Sequence, residues 1–212
     1  MTYLNNFIKE YDREKLDEKN LSPDPFKQFD TWFDDAVDFG VDEPNVIVLS
    51  TISELNRPSS RIVLLKEYNN KGFAFFTNYN SRKGKQIEKN PFGALLFPWH
   101  TMERQIRIEG RIEKLAEEES DAYFRSRPAG SRISAWASPQ SKEIPSREYL
   151  EKSVHDYKQK FTGQSIPRPD YWGGYRLIPE QFEFWQGRQN RLHDRLEYTF
   201  KGKKWHIKRL AP

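Results

Sequence analysis

Arg104-Gln105-Ile106-Arg107-Ile108-Glu109-Gly110-Arg111-Ile112 alternates cleanly, with Ile106, Ile108 and Ile112 facing one side and Gln105, Arg107 and Glu109 the other. A period of two marks a strand with one buried face, here extending over Arg104–Lys114. Upstream, Val46–Ile52, Ser60–Lys66, Gly72–Asn78 and Ala94–Trp99 are short and rich in aliphatic and aromatic residues. Turns such as Leu55-Asn56-Arg57-Pro58 and Asn69-Asn70-Lys71-Gly72 separate them. Downstream, Tyr175–Ile178, Gln181–Gln186, Leu196–Phe200 and Trp205–Leu210 continue the pattern, with a hairpin at Lys201-Gly202-Lys203. Strands joined mostly by hairpins predict an antiparallel sheet that closes or nearly closes.

Three longer helices, besides a short one after Ser81, flank these strands. Asp24 before Pro25 reads as an N-cap and first turn, after which Phe26, Phe29, Phe33 and Val37 fall at helical spacing and Gly40 ends the run. Glu117–Ser126 is acidic early and basic late, as the helix dipole favours. In Ser146–Phe161, Leu150, Val154, Tyr157 and Phe161 form a stripe. The expected fold class is therefore α+β, mainly β. Residues 1–22 are polar and read as a mobile N-terminal arm, and 23–212 as a single domain without internal repeats.

The bulk composition narrows the function. Of 212 residues, 36% are hydrophobic and 31% charged, but 15% are aromatic, enough to build a core with few aliphatics. The net charge of +4 arises from 35 basic and 31 acidic residues, which reads as a mixed surface with a few cationic pockets rather than a nucleic-acid face. Lys71-Gly72-Phe73-Ala74-Phe75 resembles the start of an RNA-recognition strand, but Phe76 and Asn78 break the match, so nucleic acid is not expected. The chain has no cysteine, and its four histidines lack ligand spacing, so neither a disulfide nor a metal site is expected. With no apolar run long enough for a bilayer and no apolar leader, the expected location is the cytosol, with no membrane partner.

The chemistry concentrates in a few stretches. Phe182-Glu183-Phe184-Trp185 is strand-like; the chain then breaks at Gly187 and places Arg188, Arg191, His193, Asp194 and Arg195 within eight residues. Such a mixture fits the wall of a pocket for an anionic aromatic molecule. Arginines on both sides should keep His193 neutral. Ser81 caps a short helix opened by Arg82 and Lys83, a ready phosphate site or a solvated basic helix start. Arg61 and Lys66, five apart on one strand, point to opposite faces and so to different anions, or one of them to solvent. Tyr123, Arg127 and Ser131, four apart, suit a second phosphate, although arginine is also an ordinary helix C-cap. The chain lacks a Gly-x-Gly-x-x-Gly loop, a Walker loop and a Gly-x-Ser-x-Gly elbow. Phosphate-binding cations without conventional nucleophiles point to a cofactor carrying the hard chemistry.

From about Tyr11 to Pro212 the chain resembles the pyridoxamine/pyridoxine 5′-phosphate oxidases. The matching blocks include Arg61-Ile62-Val63-Leu64-Leu65-Lys66, Thr77-Asn78, Ser81-Arg82-Lys83, Glu103-Arg104-Gln105, Ser126-Arg127-Pro128, Gln140-Ser141, Trp172-Gly173-Gly174, Phe182–Arg195 and Arg209-Leu210-Ala211-Pro212. The resemblance implies an antiparallel split β-barrel, a homodimer, and FMN bound across the dimer interface. It implies oxidation of pyridoxamine or pyridoxine 5′-phosphate to pyridoxal 5′-phosphate by hydride transfer to FMN, with dioxygen reoxidising the flavin to give peroxide. By the same resemblance the segment Arg61–Lys66, with Phe76, Thr77, Arg82, Lys83, Gln105, Gln140, Ser141, Trp185 and Arg195, would bind FMN. Lys66, Tyr123, Arg127 and Ser131 would grip the substrate phosphate; Arg191 and His193 would be catalytic, with Leu192 and Tyr11 also at the substrate. Two departures stand out. Phe76 occupies a position where such enzymes usually carry tyrosine. The arm pattern Arg-x-x-Tyr is Ile8-Lys9-Glu10-Tyr11 here, leaving Lys9 or Arg13 as substitutes. An FMN reductase with another substrate, or a non-catalytic flavin- or pyridoxal-phosphate-binding protein, would use many of the same residues.

Overall fold

The computed structural model describes residues 10–212. Among these, nine strands form one curled antiparallel sheet in the order β2-β1-β5-β6-β7-β4-β3, with β8 on β7 and β9 on β8. They are β1 (Val46–Ile52), β2 (Pro58–Leu64), β3 (Glu67–Asn69), β4 (Gly72–Asn78), β5 (Phe92–Phe97), β6 (Arg104–Lys114), β7 (Trp172–Gln186), β8 (Asp194–Lys201) and β9 (Lys204–Leu210). Five helices lie around it: α1 (Pro25–Asp38), α2 (Arg82–Lys89), α3 (Glu117–Ser126), α4 (Ala129–Ala137) and α5 (Arg147–Lys160). The fold is the antiparallel split β-barrel with flanking helices.

The long strand β7 organises the molecule. One edge runs along the whole of β6; on the other, Trp172–Leu177 pairs with β4 and Gln181–Gln186 with β8. The two separate strands expected at Tyr175–Ile178 and Gln181–Gln186 are thus one. Pro179, which reads as a break, sits at a bulge where the β6–β7 register shifts beside Gly110. A side chain at 110 would meet the Ile178 carbonyl oxygen at 2.0 Å, so only glycine admits that close approach. β8 and β9 are joined through Gly202-Lys203, both left-handed (φ 56° and 66°), the backbone of a tight two-residue hairpin.

The core is aromatic. Phe29 meets Phe73, Phe97 and Tyr68 at 4.9–5.0 Å between ring centres, and such pairs add roughly 0.5–1.5 kcal/mol each beyond buried area. Asp24 does cap α1, its carboxylate accepting from the Phe26 amide. The buried face of α1 is Pro25, Gln28, Phe29, Trp32 and Ala36, and Val37 is 53% exposed, so the expected stripe is rotated. Trp32 decides this: the largest apolar surface on the helix packs edge-on against Phe184 at 5.2 Å. Strand β2 ends at Leu64 rather than Lys66, and α4 is a helix that the sequence reading left unassigned.

The described part of the N-terminal segment is bonded to the barrel. The Asp12 and Arg13 amides donate to Glu103, the Leu16 amide donates to Asp194, and Arg209 donates to Glu18 and to the Leu16 carbonyl. Ile8 and Lys9 lie outside the described residues.

Candidate active site

At the C-terminal end of β4 a cavity of about 480 Å³ opens between β2, β4, α3 and α4. Ile62, Val63, Leu64, Lys66, Phe76, Thr77, Lys83, Tyr123, Arg127, Ser131 and Gln140 all line it, so most of the expected FMN-tail and substrate-phosphate residues converge on one space. Ser81 caps α2 as expected, its hydroxyl accepting from the Gly84 amide. Lys83, in the first turn of that helix, donates its ammonium to Thr77 Oγ1 and Gln140 Oε1, both at 3.0 Å. Arg61, behind the lining, donates to the Leu49 carbonyl, Thr51, Ser59 and Gln86. Because β2 ends before Lys66, strand alternation does not relate that residue to Arg61, yet the two do face different surroundings. Leu65 is buried in the core with its amide and carbonyl both bonded to Asn45, and Ser141 and Arg82 are exposed beside the cavity rather than in it.

The electrostatics of this region are one-sided. Among the described residues no carboxylate pairs with Arg61, Lys66, Arg82, Lys83 or Arg127, whereas Arg104, Arg107, Arg168, Arg176, Arg188, Arg195 and Arg209 all have acidic partners. Burial, with Arg61 nearby, lowers the Lys83 pKa to about 8. Burial also depresses Arg61, with Arg82 adding to the effect, and depresses Arg127. The Tyr123 phenol is pushed up by burial, against the pull of Arg127. Arg127 Nη1 is buried without a hydrogen-bond partner. Half-buried cations without a counter-ion are costly, and an anion in the cavity would relieve them.

The second cluster sits at the opposite end of β7. Gln105, Trp185 and Arg195 are paired in register across β6, β7 and β8, which puts them in one row on one face. Arg195 is fixed from beneath by Glu183, 1% exposed, through Nε–Oε1 at 2.8 Å and Nη2–Oε2 at 3.1 Å; Arg107 reaches the same carboxylate at 2.6 Å. Beyond Gly187, the Trp185 and His193 rings lie 4.6 Å apart, and Tyr11 closes over both at 6.0 and 5.8 Å. His193 Nδ1 accepts from the Arg188 amide at 3.1 Å, which leaves the proton of the neutral ring on Nε2. Burial first, then Arg191, lowers the His193 pKa, while Asp194 opposes. Arg191 and Leu192 are exposed on the turn, with Asn190 and Arg191 both left-handed (φ 55° and 61°). Such backbone is strained for residues other than glycine and concentrates at functional sites.

Residues 33–161 match the family model for pyridoxamine 5′-phosphate oxidase, and residues 172–212 match that for the pyridoxine 5′-phosphate oxidase C-terminal dimerisation region. The chain belongs to the pyridoxamine 5′-phosphate oxidase family. A pyridoxine/pyridoxamine 5′-phosphate oxidase of Cupriavidus taiwanensis is 52% identical over 213 residues, and one of Burkholderia mallei 54% over 215, each covering 100% of both chains. Among solved structures, PhzG of Burkholderia lata, in complex with tetrahydrophenazine-1-carboxylic acid, matches with a TM-score of 0.89 at 30% identity, covering 96% of this chain and 100% of that one. A pyridoxamine 5′-phosphate oxidase-related, FMN-binding protein of Nostoc punctiforme shares the fold, with a TM-score of 0.70, 17% identity and coverage of 91% and 100%. For a chain of this family, sequence reasoning passed over three residues that organise the site: Glu103, Trp172 and Glu183. Each is buried, and no local pattern separates them from an ordinary surface acid or core aromatic.

Proposed function

We propose that the protein is a homodimeric FMN-dependent oxidase converting pyridoxamine or pyridoxine 5′-phosphate to pyridoxal 5′-phosphate. The observation that carries this reading is the group of unpaired cations around a single cavity, a donor set that calls for phosphate. The residues suit FMN as well as a phosphorylated pyridine. Thr77, Lys83 and Gln140, with Arg61, Arg82 and Ser141 nearby, would hold the cofactor's phosphate end, and the Ile62–Lys66 backbone would lie alongside it. Gln105, Trp185 and Arg195 would meet its ring system. These two sets lie near positions 173 and 185 of the same strand, about 40 Å of chain at ~3.3 Å per residue. A cofactor touching both sets would be shared between two copies, a reading that the match of residues 172–212 to a dimerisation region supports.

Bound FMN would supply the acceptor for a hydride from the 4′ carbon and pass the electrons to dioxygen, giving peroxide. The protein contributes placement and electrostatics. Lys66, Tyr123, Arg127 and Ser131 would hold the substrate phosphate. Arg191 would orient the pyridine ring and stabilise developing charge, and His193 would donate a hydrogen bond from Nε2. Leu192 and Tyr11 would exclude water, Tyr11 from the arm. Removing a well-placed charge of this kind costs roughly 2–4 kcal/mol of transition-state stabilisation, so Arg191→Ala should cut turnover by about two orders of magnitude while FMN stays bound. Unchanged turnover would remove Arg191 from the mechanism.

The test of the whole is optical. Purified protein should be yellow, and its flavin absorbance should bleach without oxygen when pyridoxine 5′-phosphate is added. A colourless protein that FMN cannot reconstitute would defeat the proposal. The likeness to PhzG supports a second reading, an FMN oxidoreductase acting on a reduced tricyclic carboxylate. Bleaching by such a compound and not by pyridoxine phosphate would favour that reading. A yellow protein that bleaches with neither would point to a flavin carrier.

A further inference from the structure

We propose that Trp172 is a positioning residue for anion recognition: its indole aims the Arg127 guanidinium at the cavity and so sets the affinity for phosphate. The inference rests on the reading that this cavity receives the substrate's phosphate. Trp172 is 6% exposed and belongs to a pile of three nearly parallel rings. Phe76 and Tyr123 stack at 3.8 Å and 22°, Phe76 and Trp172 at 5.7 Å and 14°, and Tyr123 and Trp172 are tilted by only 8°. Phe124 closes the pile edge-on to Trp172 at 5.1 Å. Arg127 Cζ lies 4.5 Å from the centre of the indole.

No hydrogen bond or ion pair among the described residues orients that guanidinium, and its Nη1 is buried and unpartnered. The indole face, with a weaker contribution from Phe124 at 5.7 Å, is what holds it. Trp172 is itself fixed from both sides of its backbone. Its carbonyl accepts from Arg168, its amide donates to the Pro169 carbonyl, and Arg168 is tied to Asp121 of α3. The order of dependence runs from α3 and β7 through the indole to the cation.

Two variants of the flavin-loaded protein test this. Trp172→Leu removes the π face; Trp172→Phe keeps one. Calorimetric titration with inorganic phosphate should show about tenfold weaker binding in Trp172→Leu and no more than about threefold in Trp172→Phe. KM for pyridoxine phosphate should rise in parallel, with kcat falling far less. In an Arg127→Ala background neither substitution should weaken phosphate binding further, because the residue through which Trp172 acts is gone. If Trp172→Leu fails to fold, the smaller loss in Trp172→Phe, and its disappearance beside Arg127→Ala, carry the same test. Wild-type phosphate affinity in Trp172→Leu, equal losses in both variants, or losses fully additive with Arg127→Ala would overturn the proposal. Phosphate binding that behaves as expected in a protein that oxidises neither phosphate ester would leave this inference standing and defeat the functional reading instead.

Discussion

Glu183 is where a single substitution should be most revealing. Its carboxylate is 1% exposed and receives three charge-assisted hydrogen bonds, two from Arg195 and one from Arg107. Glu183→Gln keeps the shape but leaves two guanidinium groups facing each other across a neutral amide. Breaking a fully buried pair in this way costs roughly 3–5 kcal/mol. The arginines here are 26% and 36% exposed, Arg195 keeps the Ala211 carbonyl, and Arg107 keeps Glu109 at 2.8 Å. That last contact is between charges only, since Arg107 Nε has no hydrogen bond of acceptable geometry. Water and the remaining acceptors bring the expectation to the lower end, about 3 kcal/mol. For a chain of this size that is a fall in Tm of about 6–12 °C. Urea unfolding at fixed protein and FMN concentration would measure it, because a bound cofactor and association would each add to apparent stability. Adding Arg107→Leu to Glu183→Gln should restore part of the loss, since one of the two stranded cations disappears. A loss below about 1 kcal/mol, or a double variant no better than the single, would refute the clamp.

The other expectations are smaller. Lys83 is lowered from 10.5 to about 8, so the unfolded chain holds this proton more tightly. The ligand-free protein should therefore gain stability from this group as pH rises between those values. Phosphate affinity should fall across the same window as the ammonium deprotonates, and Lys83→Met should abolish that dependence in titrations from pH 7 to 10. His193 is depressed below its ordinary 6.5, so it should stay neutral from there upward, and any acid limb it causes in kcat/KM should lie below that value. His193→Asn should remove that limb and cost roughly tenfold in rate, about the worth of one hydrogen bond. Gly84→Ala would place a Cβ 2.1 Å from the Tyr79 carbonyl oxygen; overpacking of this kind costs about 1–3 kcal/mol. It should lower the urea midpoint and, by shifting α2, weaken phosphate binding.

Much of the fold was legible because local rules and tertiary packing agreed. Glu117–Ser126 carries its own charge gradient and became α3 with those bounds. The isoleucines of β6 alternate because one side of that strand faces the aromatic core. Disagreements arose where a residue's local meaning was overridden. Pro179 ends strands in isolation, but the missing side chain of Gly110 makes room for a bulge that lets β7 continue. Pro128-Ala129-Gly130 carries no strong local helix signal, yet Pro128 serves as the N-cap and Ala129 and Gly130 begin α4.

The same division runs through the site. Arg82 and Lys83 at a serine-capped helix start are visible from sequence alone as a candidate anion site, since the helix end and its charges are local. The dependence of Arg195 on Glu183, or of Arg127 on Trp172, is not local: it is made by strand register and by α3 meeting β7. A glutamate between Phe182 and Phe184 looks like the solvent-facing half of an alternation. It is buried because Arg107 and Arg195 converge on it from the neighbouring strands, and they do so because the register of β6, β7 and β8 sets them there. Register also explains why β7 must be long. A strand of ordinary length would pair with β4 or with β8, and one that pairs with both holds the cation-lined cavity and the Trp185 row at opposite ends.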